Sequence, residues 1–274
     1  MNRASLGFAL PQLQLFKDKL LDWSQQFETV AWLDSNACPQ LYPEFDAILA
    51  VGAATRIETG TSGAFDRFRA YRASVNDWIF GYFSYDLKND IEALTSENPD
   101  EVAFPDMYFF QPEKIIFIKG HTATFSYLPE VSGTIENDYR EIAKTQLSRN
   151  EADQSPLTIT ARLQQNDYTE RVHNILSHIR RGDIYEANLC QEFYAEAAII
   201  SPLDTYKKLN ALSRAPFSAF LRFCDHYLLC ASPERYLRKT GTTVIAQPIK
   251  GTARRSPDPR KDEALKSALE NSPK

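Results

Sequence analysis

A lysine and a glutamate near the end of the 274-residue chain carry its clearest chemical potential. Lys250 stands in the run Gln247-Pro248-Ile249-Lys250-Gly251-Thr252, with Arg254 and Arg255 close behind. A lysine amine attacks carbon only when neutral, and burial or nearby cations favour that form. Most lysines are solvated surface cations instead, so the surroundings decide. Glu234 lies in Ser232-Pro233-Glu234-Arg235. Residues 232–239 read as a strand, Thr240-Gly241-Thr242-Thr243 is turn chemistry, and 244–250 read as a returning strand. A ladder centred near Thr242 sets Glu234 opposite Lys250, with Cα atoms about 4.5–5.5 Å apart. Such a meeting is either a cross-strand ion pair or a proton-transfer carboxyl beside an attacking amine. In the second case the glutamate must be protonated in part of the cycle, or be offset by another cation.

The rest of the chain must supply a scaffold for that hairpin. Residues 11–28 read as a helix, with Leu13, Phe16, Leu20, Trp23 and Phe27 at helical spacing. Strands are predicted over 29–33, 46–52 and 78–85, with a helix over 64–75 between the last two. Residues 108–110 and 114–118 read as two further strands, the second forming a hairpin with 122–127 about Lys119-Gly120-His121. An amphipathic helix is predicted over 138–148. The polar stretch 148–156 marks the best boundary between two halves, 1–150 and 151–274. In the second half, Asp167-Tyr168-Thr169-Glu170 has capping-box spacing. Val172, Ile175, Leu176 and Ile179 form an apolar stripe, and Gly182 is placed to end that helix. Residues 184–195 and 219–231 read as strands, and Ser201-Pro202 opens another helix.

Bulk properties narrow the function classes. Hydrophobic residues make up 43% of the chain and aromatics 12%, enough for a sizeable core. The net charge of -5 and the absence of a basic block argue against nucleic acid as a partner. No apolar run approaches the roughly 20 residues that span a bilayer, and residues 1–21 do not read as a signal peptide. Cys38, Cys190, Cys224 and Cys230 show no disulfide framework and read as reduced thiols. A soluble, cytoplasmic protein with no membrane partner is expected. Cys224, His226 and Cys230 lack paired metal-ligand spacing. His173 and His178, five apart, do not share a helical face. Metal binding is expected at neither.

Four segments together resemble a known family. They are Gly182-Asp183-Ile184-Tyr185-Glu186-Ala187-Asn188-Leu189, Pro216-Phe217-Ser218-Ala219-Phe220, Ser232-Pro233-Glu234-Arg235 and Pro248-Ile249-Lys250-Gly251-Thr252. In order and spacing they resemble the chorismate-utilising enzymes, most densely after residue 167, and within them the aminodeoxychorismate synthase (para-aminobenzoate synthase component I) branch. The resemblance implies an α+β fold, with large, mostly antiparallel sheets in a sandwich-like core and helices outside.

The resemblance also implies a reaction. Anthranilate and isochorismate or salicylate synthases typically carry alanine where this chain has Lys250; the aminodeoxychorismate branch carries lysine. Lys250 is then the nucleophile that adds at C2 of chorismate and displaces the 4-hydroxyl. Glu234 is the general acid/base, and Gly251 and Thr252 belong to the substrate site. Glu186 stands where isochorismate-forming relatives carry a water-activating lysine, which argues against water as nucleophile. Ser35, Tyr42, Phe45, Pro216 and Phe217 align with a pocket that holds tryptophan in some relatives, although core aromatics and a turn serine explain them equally well. A glutamine amidotransferase partner is implied, as are Mg²⁺ ligands beyond Lys274, since roughly 150–180 further residues follow in the family, a size suited to one large α/β unit. Anthranilate synthase component I and a non-catalytic tryptophan-binding fragment are the alternative readings.

Overall fold

A computed structural model describes residues 2–39, 41–42, 44–147, 157–249 and 251–272. The contacts group the chain into one unit of Met1–Ser148 with Tyr206–Lys274, and a second of Arg149–Thr205. Among the described residues every strand pairing is antiparallel. The predicted boundary at 148–156 lies outside the described residues.

The larger unit is built on one sheet. Its elements begin with β1 (Ala4–Ala9), α1 (Leu13–Trp23), β2 (Thr29–Asp34), β3 (Ala47–Thr59) and α2 (Ala64–Val75). Then come β4 (Phe80–Phe83), β5 (Met107–Lys119), β6 (Thr122–Tyr127) and α3 (Ile135–Lys144). The smaller unit holds β7 (Thr160–Ala161), α4 (Gln165–Arg181) and β8 (Phe193–Tyr194). After α5 (Pro202–Ser213) the chain returns to the large sheet with β9 (Phe217–Phe223) and β10 (His226–Ser232). A separate hairpin of β11 (Arg235–Thr240) and β12 (Thr243–Gln247) follows, and then α6 (Pro259–Glu270). The large sheet runs β1-β6-β5-β3-β2-β9-β10, with β4 also on β5. This is the α+β, antiparallel architecture expected from the sequence.

Burial explains why β2 lies near the middle. Val30, Ala31 and Trp32 are at most 2% exposed, so both faces of the strand are covered. On one face, α1 supplies Phe16, Leu20 and Trp23 and packs against α3, where Phe8 stacks on Tyr139 at 4.0 Å. On the other, Ala31, Ala50, Phe80, Tyr108, Phe110 and Phe223 form one cluster. Each large apolar side chain buried this way contributes about 1.5–3 kcal/mol.

β5 differs from expectation. The predicted break at Gln111-Pro112-Glu113 is absent, and Met107–Lys119 is a single strand. Proline lacks the N–H that a central ladder needs. The facing strand accommodates this, since its register shifts between Ala53 and Thr55, opposite Gln111 and Pro112. Gly52 begins the distortion at φ 70°, where any Cβ would lie 2.7 Å from the Glu113 carboxylate.

The smaller unit departs further. The capping box is not used: α4 starts at Gln165, so Asp167 sits in its first turn. None of the helix residues is buried, so the apolar stripe at Val172, Ile175, Leu176 and Ile179 is not covered as predicted. Gly182 ends the helix as expected. The long strand predicted over 184–195 reduces to Phe193–Tyr194, because its alternating residues find only Thr160 and Ala161 as ladder partners. The strand predicted over 219–231 is two strands, turning at Cys224 and Asp225.

Arg3 ties β1 to the segment after α2. Its guanidinium donates to Asp77 at 2.8 Å and to the carbonyl of Pro112 at 2.6 Å. Burial alone would raise the Asp77 pKa. Hydrogen bonds from Arg3, Gln111 and the Trp78 N–H outweigh it, and the carboxyl lies below its ordinary value. A depressed carboxyl stabilises the fold above the unfolded-state pKa of about 3.9, and that contribution is lost as pH falls through the folded value. Asp77→Asn is therefore expected to be less stable than wild type at neutral pH. Urea unfolding should show the gap closing as pH drops; a constant gap would show that Asp77 ionisation contributes nothing.

Candidate functional site

The hairpin places Glu234 differently from the simple ladder. Thr240 pairs with Thr243 around a two-residue turn, with Gly241 at φ 58°, a conformation glycine takes readily. Arg238 then pairs with Ile245, but Arg235 pairs with Gln247. One extra residue therefore sits on β11, a β-bulge. Continuing that register would set Glu234 opposite Pro248, two positions from the register expected from the sequence. Lys250 itself lies outside the described residues. The Glu234 carboxylate nevertheless reaches the segment after β12, where the Ile249 N–H donates to it at 3.4 Å. Ser232 holds the turn into β11: its hydroxyl donates to the Glu234 carbonyl at 3.1 Å and accepts from the Glu234 N–H at 3.2 Å. Glu234, Gly251 and Thr252 are exposed.

Arg255, five residues after Lys250 in the sequence, is itself ion-paired. Its guanidinium grips Asp262 of α6 at 2.7 and 2.9 Å, and Asp258 caps that helix by accepting from Arg260 N at 3.0 Å. Glu186 is exposed in the irregular stretch after Gly182.

The five residues aligned with the tryptophan pocket meet in one place. Ser35, Tyr42, Phe45, Pro216 and Phe217 all line a cavity of about 410 Å³. Three adjacent strands explain why. The end of β2 pairs with the starts of β3 and β9, Asp34 facing both Ala47 and Ser218. Asn36 secures the neighbouring corner by donating to the Ala215 carbonyl at 2.7 Å and to Asn210 at 2.8 Å. Ser218 meets Tyr206 at 2.8 Å, and burial pushes the Tyr206 hydroxyl up to about 12. Phe45 stacks on Phe117 at 4.7 Å.

Five charged residues line the cavity, Asp34, Glu44, Asp46, Arg235 and Arg238, and none was given a pocket role from the sequence. Asp34 is ion-paired to Lys17 at 2.7 Å and accepts the Asn36 N–H. Glu44 pairs with Arg238 at 3.1 Å, and the Arg235 guanidinium stands 5.0 Å over the Phe217 ring. No sequence periodicity points to Arg235 and Arg238 together. Residues three apart on a regular strand face opposite ways, and the bulge brings both to the cavity.

Among the described residues no group of three or more His, Cys, Asp and Glu is placed to hold a metal ion, and all four cysteines are free. The Mg²⁺ expected from the resemblance finds no ligand set among them. Nor is any helix among them long and apolar enough to cross a membrane.

Residues 28–274 match the family described as chorismate binding enzymes. The chain belongs to that family. It is 31% identical over 198 residues to aminodeoxychorismate synthase component 1 of Escherichia coli K12, covering 71% of this chain and 42% of that protein. It is 27% identical over 205 residues to anthranilate synthase component 1 of Lactococcus lactis subsp. lactis IL1403, covering 71% and 45%. The chain thus spans less than half the length of these curated relatives. The Escherichia coli menaquinone-specific isochorismate synthase MenF shares the fold, with a TM-score of 0.57 and 15% identity, over 99% of this chain and 60% of that one.

Proposed function

We propose that the full-length protein aminates chorismate to 4-amino-4-deoxychorismate, as a component that receives ammonia from a glutamine amidotransferase. The observation that carries the reading is the contact between the Glu234 carboxylate and the N–H of Ile249, immediately before Lys250. This contact with the residue that precedes the candidate nucleophile in sequence supports the reading.

In this reading the neutral Lys250 amine adds at C2 of the ring. Both ring double bonds shift, to C1–C6 and C4–C5, and the 4-hydroxyl leaves as water, taking its proton from Glu234. Ammonia then adds at C4, both double bonds shift back, and the lysine amine leaves from C2. Glu234 regains its proton from the incoming nitrogen. The covalent detour divides one difficult substitution into two easier steps. Glu234 is exposed here, and its acid role calls for a drier setting around bound substrate. Mg²⁺, when bound, would neutralise substrate carboxylate charge.

The experiment supplies the full-length protein with chorismate, Mg²⁺ and ammonium, and separates the products. 4-Amino-4-deoxychorismate is expected. Anthranilate as the product would transfer the chain to the anthranilate synthase alternative.

A second reading concerns the cavity. Its volume of about 410 Å³ lies within the range of small-molecule sites, and its aromatic and charged lining suits tryptophan. Calorimetric titration with tryptophan tests this reading by itself. Binding without chorismate turnover would favour the alternative of a tryptophan-binding module.

A further inference from the structure

We propose that Arg238 is a positioning residue that fastens the cavity wall to the strand bearing Glu234, so that a disturbance of one is felt at the other. The consequence for catalysis rests on the role given to Glu234 above; the mechanical link does not.

Arg238 makes two contacts to the wall. One nitrogen donates to the Tyr42 carbonyl at 2.6 Å, and another pairs with Glu44 at 3.1 Å. Arg235 reaches the same carbonyl at 3.4 Å. The wall residues Tyr42 and Glu44 follow β2 and have no ladder partners of their own. Tyr42 is 44% exposed, so its neighbourhood depends on a few polar contacts. Phe45 is the apolar anchor, stacked on Phe117 and 6.2 Å from Trp78.

On the other side, β11 and β12 form a sheet of only two strands. An isolated hairpin is marginal in water, so outside contacts have leverage on it. Glu234 precedes Arg235 directly, and its carboxylate holds the Ile249 N–H at the open end. Moving β11 relative to β12 alters that contact first. Without the bulge, Arg235 and Arg238 would face opposite sides and only one could grip the wall.

The test is a double-mutant cycle read by hydrogen exchange on the full-length protein. Phe45→Ala loosens the wall from its apolar side. Arg238→Met removes the guanidinium while keeping an apolar stem, and Arg238→Lys serves as the conservative variant should the methionine variant fold poorly. Phe45→Ala is expected to speed exchange in 235–249 by about two- to thirtyfold, the range of couplings carried by contacting networks. In the Arg238→Met or Arg238→Lys background, Phe45→Ala should no longer affect that peptide. Equal speeding with and without Arg238, or none at all, would overturn the link. Chorismate turnover forms a separate arm: an intact link with no turnover change on Phe45→Ala would sink only the catalytic consequence.

Discussion

Replacing Lys250 with alanine in the full-length protein is expected to lower chorismate amination on the order of 10³-fold or more, as when a covalent nucleophile is lost. Ammonia must then displace the 4-hydroxyl without the intermediate that divides the step. Two further variants separate the possible roles of the lysine. Lys250→Arg keeps a positive charge but is never neutral at working pH. If Lys250 acts as an amine, the arginine variant should be as inactive as alanine. If it supplies only charge, arginine should restore much of the activity. Glu234→Gln should cost less, about 10²–10⁴-fold, the usual scale for one proton-transfer group. Wild-type protein stopped with substrate should show an added mass on the peptide containing Lys250. Full turnover by the alanine variant would end the assignment.

The second large effect is on stability. Asp138→Ala is expected to destabilise the fold by about 3–5 kcal/mol, the cost of leaving a buried ion without its partner. Asp138 on α3 accepts from Lys114 of β5 at 2.6 Å and from Thr134 at 3.1 Å. The side chains of Lys114 and Asp138 are only 11% and 6% exposed. The Lys114 ammonium lies between 5.2 and 5.8 Å from the ring centroids of Trp23, Phe27 and Tyr127. Those rings stabilise a cation in part, but none carries a full negative charge. Burial, then the Asp138 charge beside it, pushes the Tyr127 hydroxyl well above its ordinary pKa, so Tyr127 cannot replace the lost carboxylate. Removing both charges, as Lys114→Met with Asp138→Ala, should recover most of the loss, because no uncompensated ion remains. Urea unfolding of the three variants measures the cycle. A single mutant as stable as wild type would show that the pair contributes nothing.

Much of the fold was legible because periodicity reports burial. The strand read over 29–33 is present as Thr29–Asp34, and the helix read over 64–75 as Ala64–Val75. Misreadings occurred where a partner strand or a missing neighbour decided the outcome. Pro112 looked like a break until the distortion at Gly52 and Ala53 gave it a place. The α4 stripe was correctly periodic, yet helical spacing does not say what will cover it.

The same division holds for the candidate site. The sequence, through its resemblance to the family, singled out candidates for chemistry: Lys250, Glu234 and the five residues Ser35, Tyr42, Phe45, Pro216 and Phe217. Only the tertiary structure decided their register. The two-residue turn between Thr240 and Thr243 and the single bulged residue between Arg235 and Arg238 each shifted the register at Glu234 by one position, and the bulge turned both arginines toward the cavity. Side-chain direction in a strand alternates with every residue, so one inserted residue reverses every facing beyond it. That insertion is set by how β11 meets β12 and the cavity wall, and no local preference in the sequence encodes it.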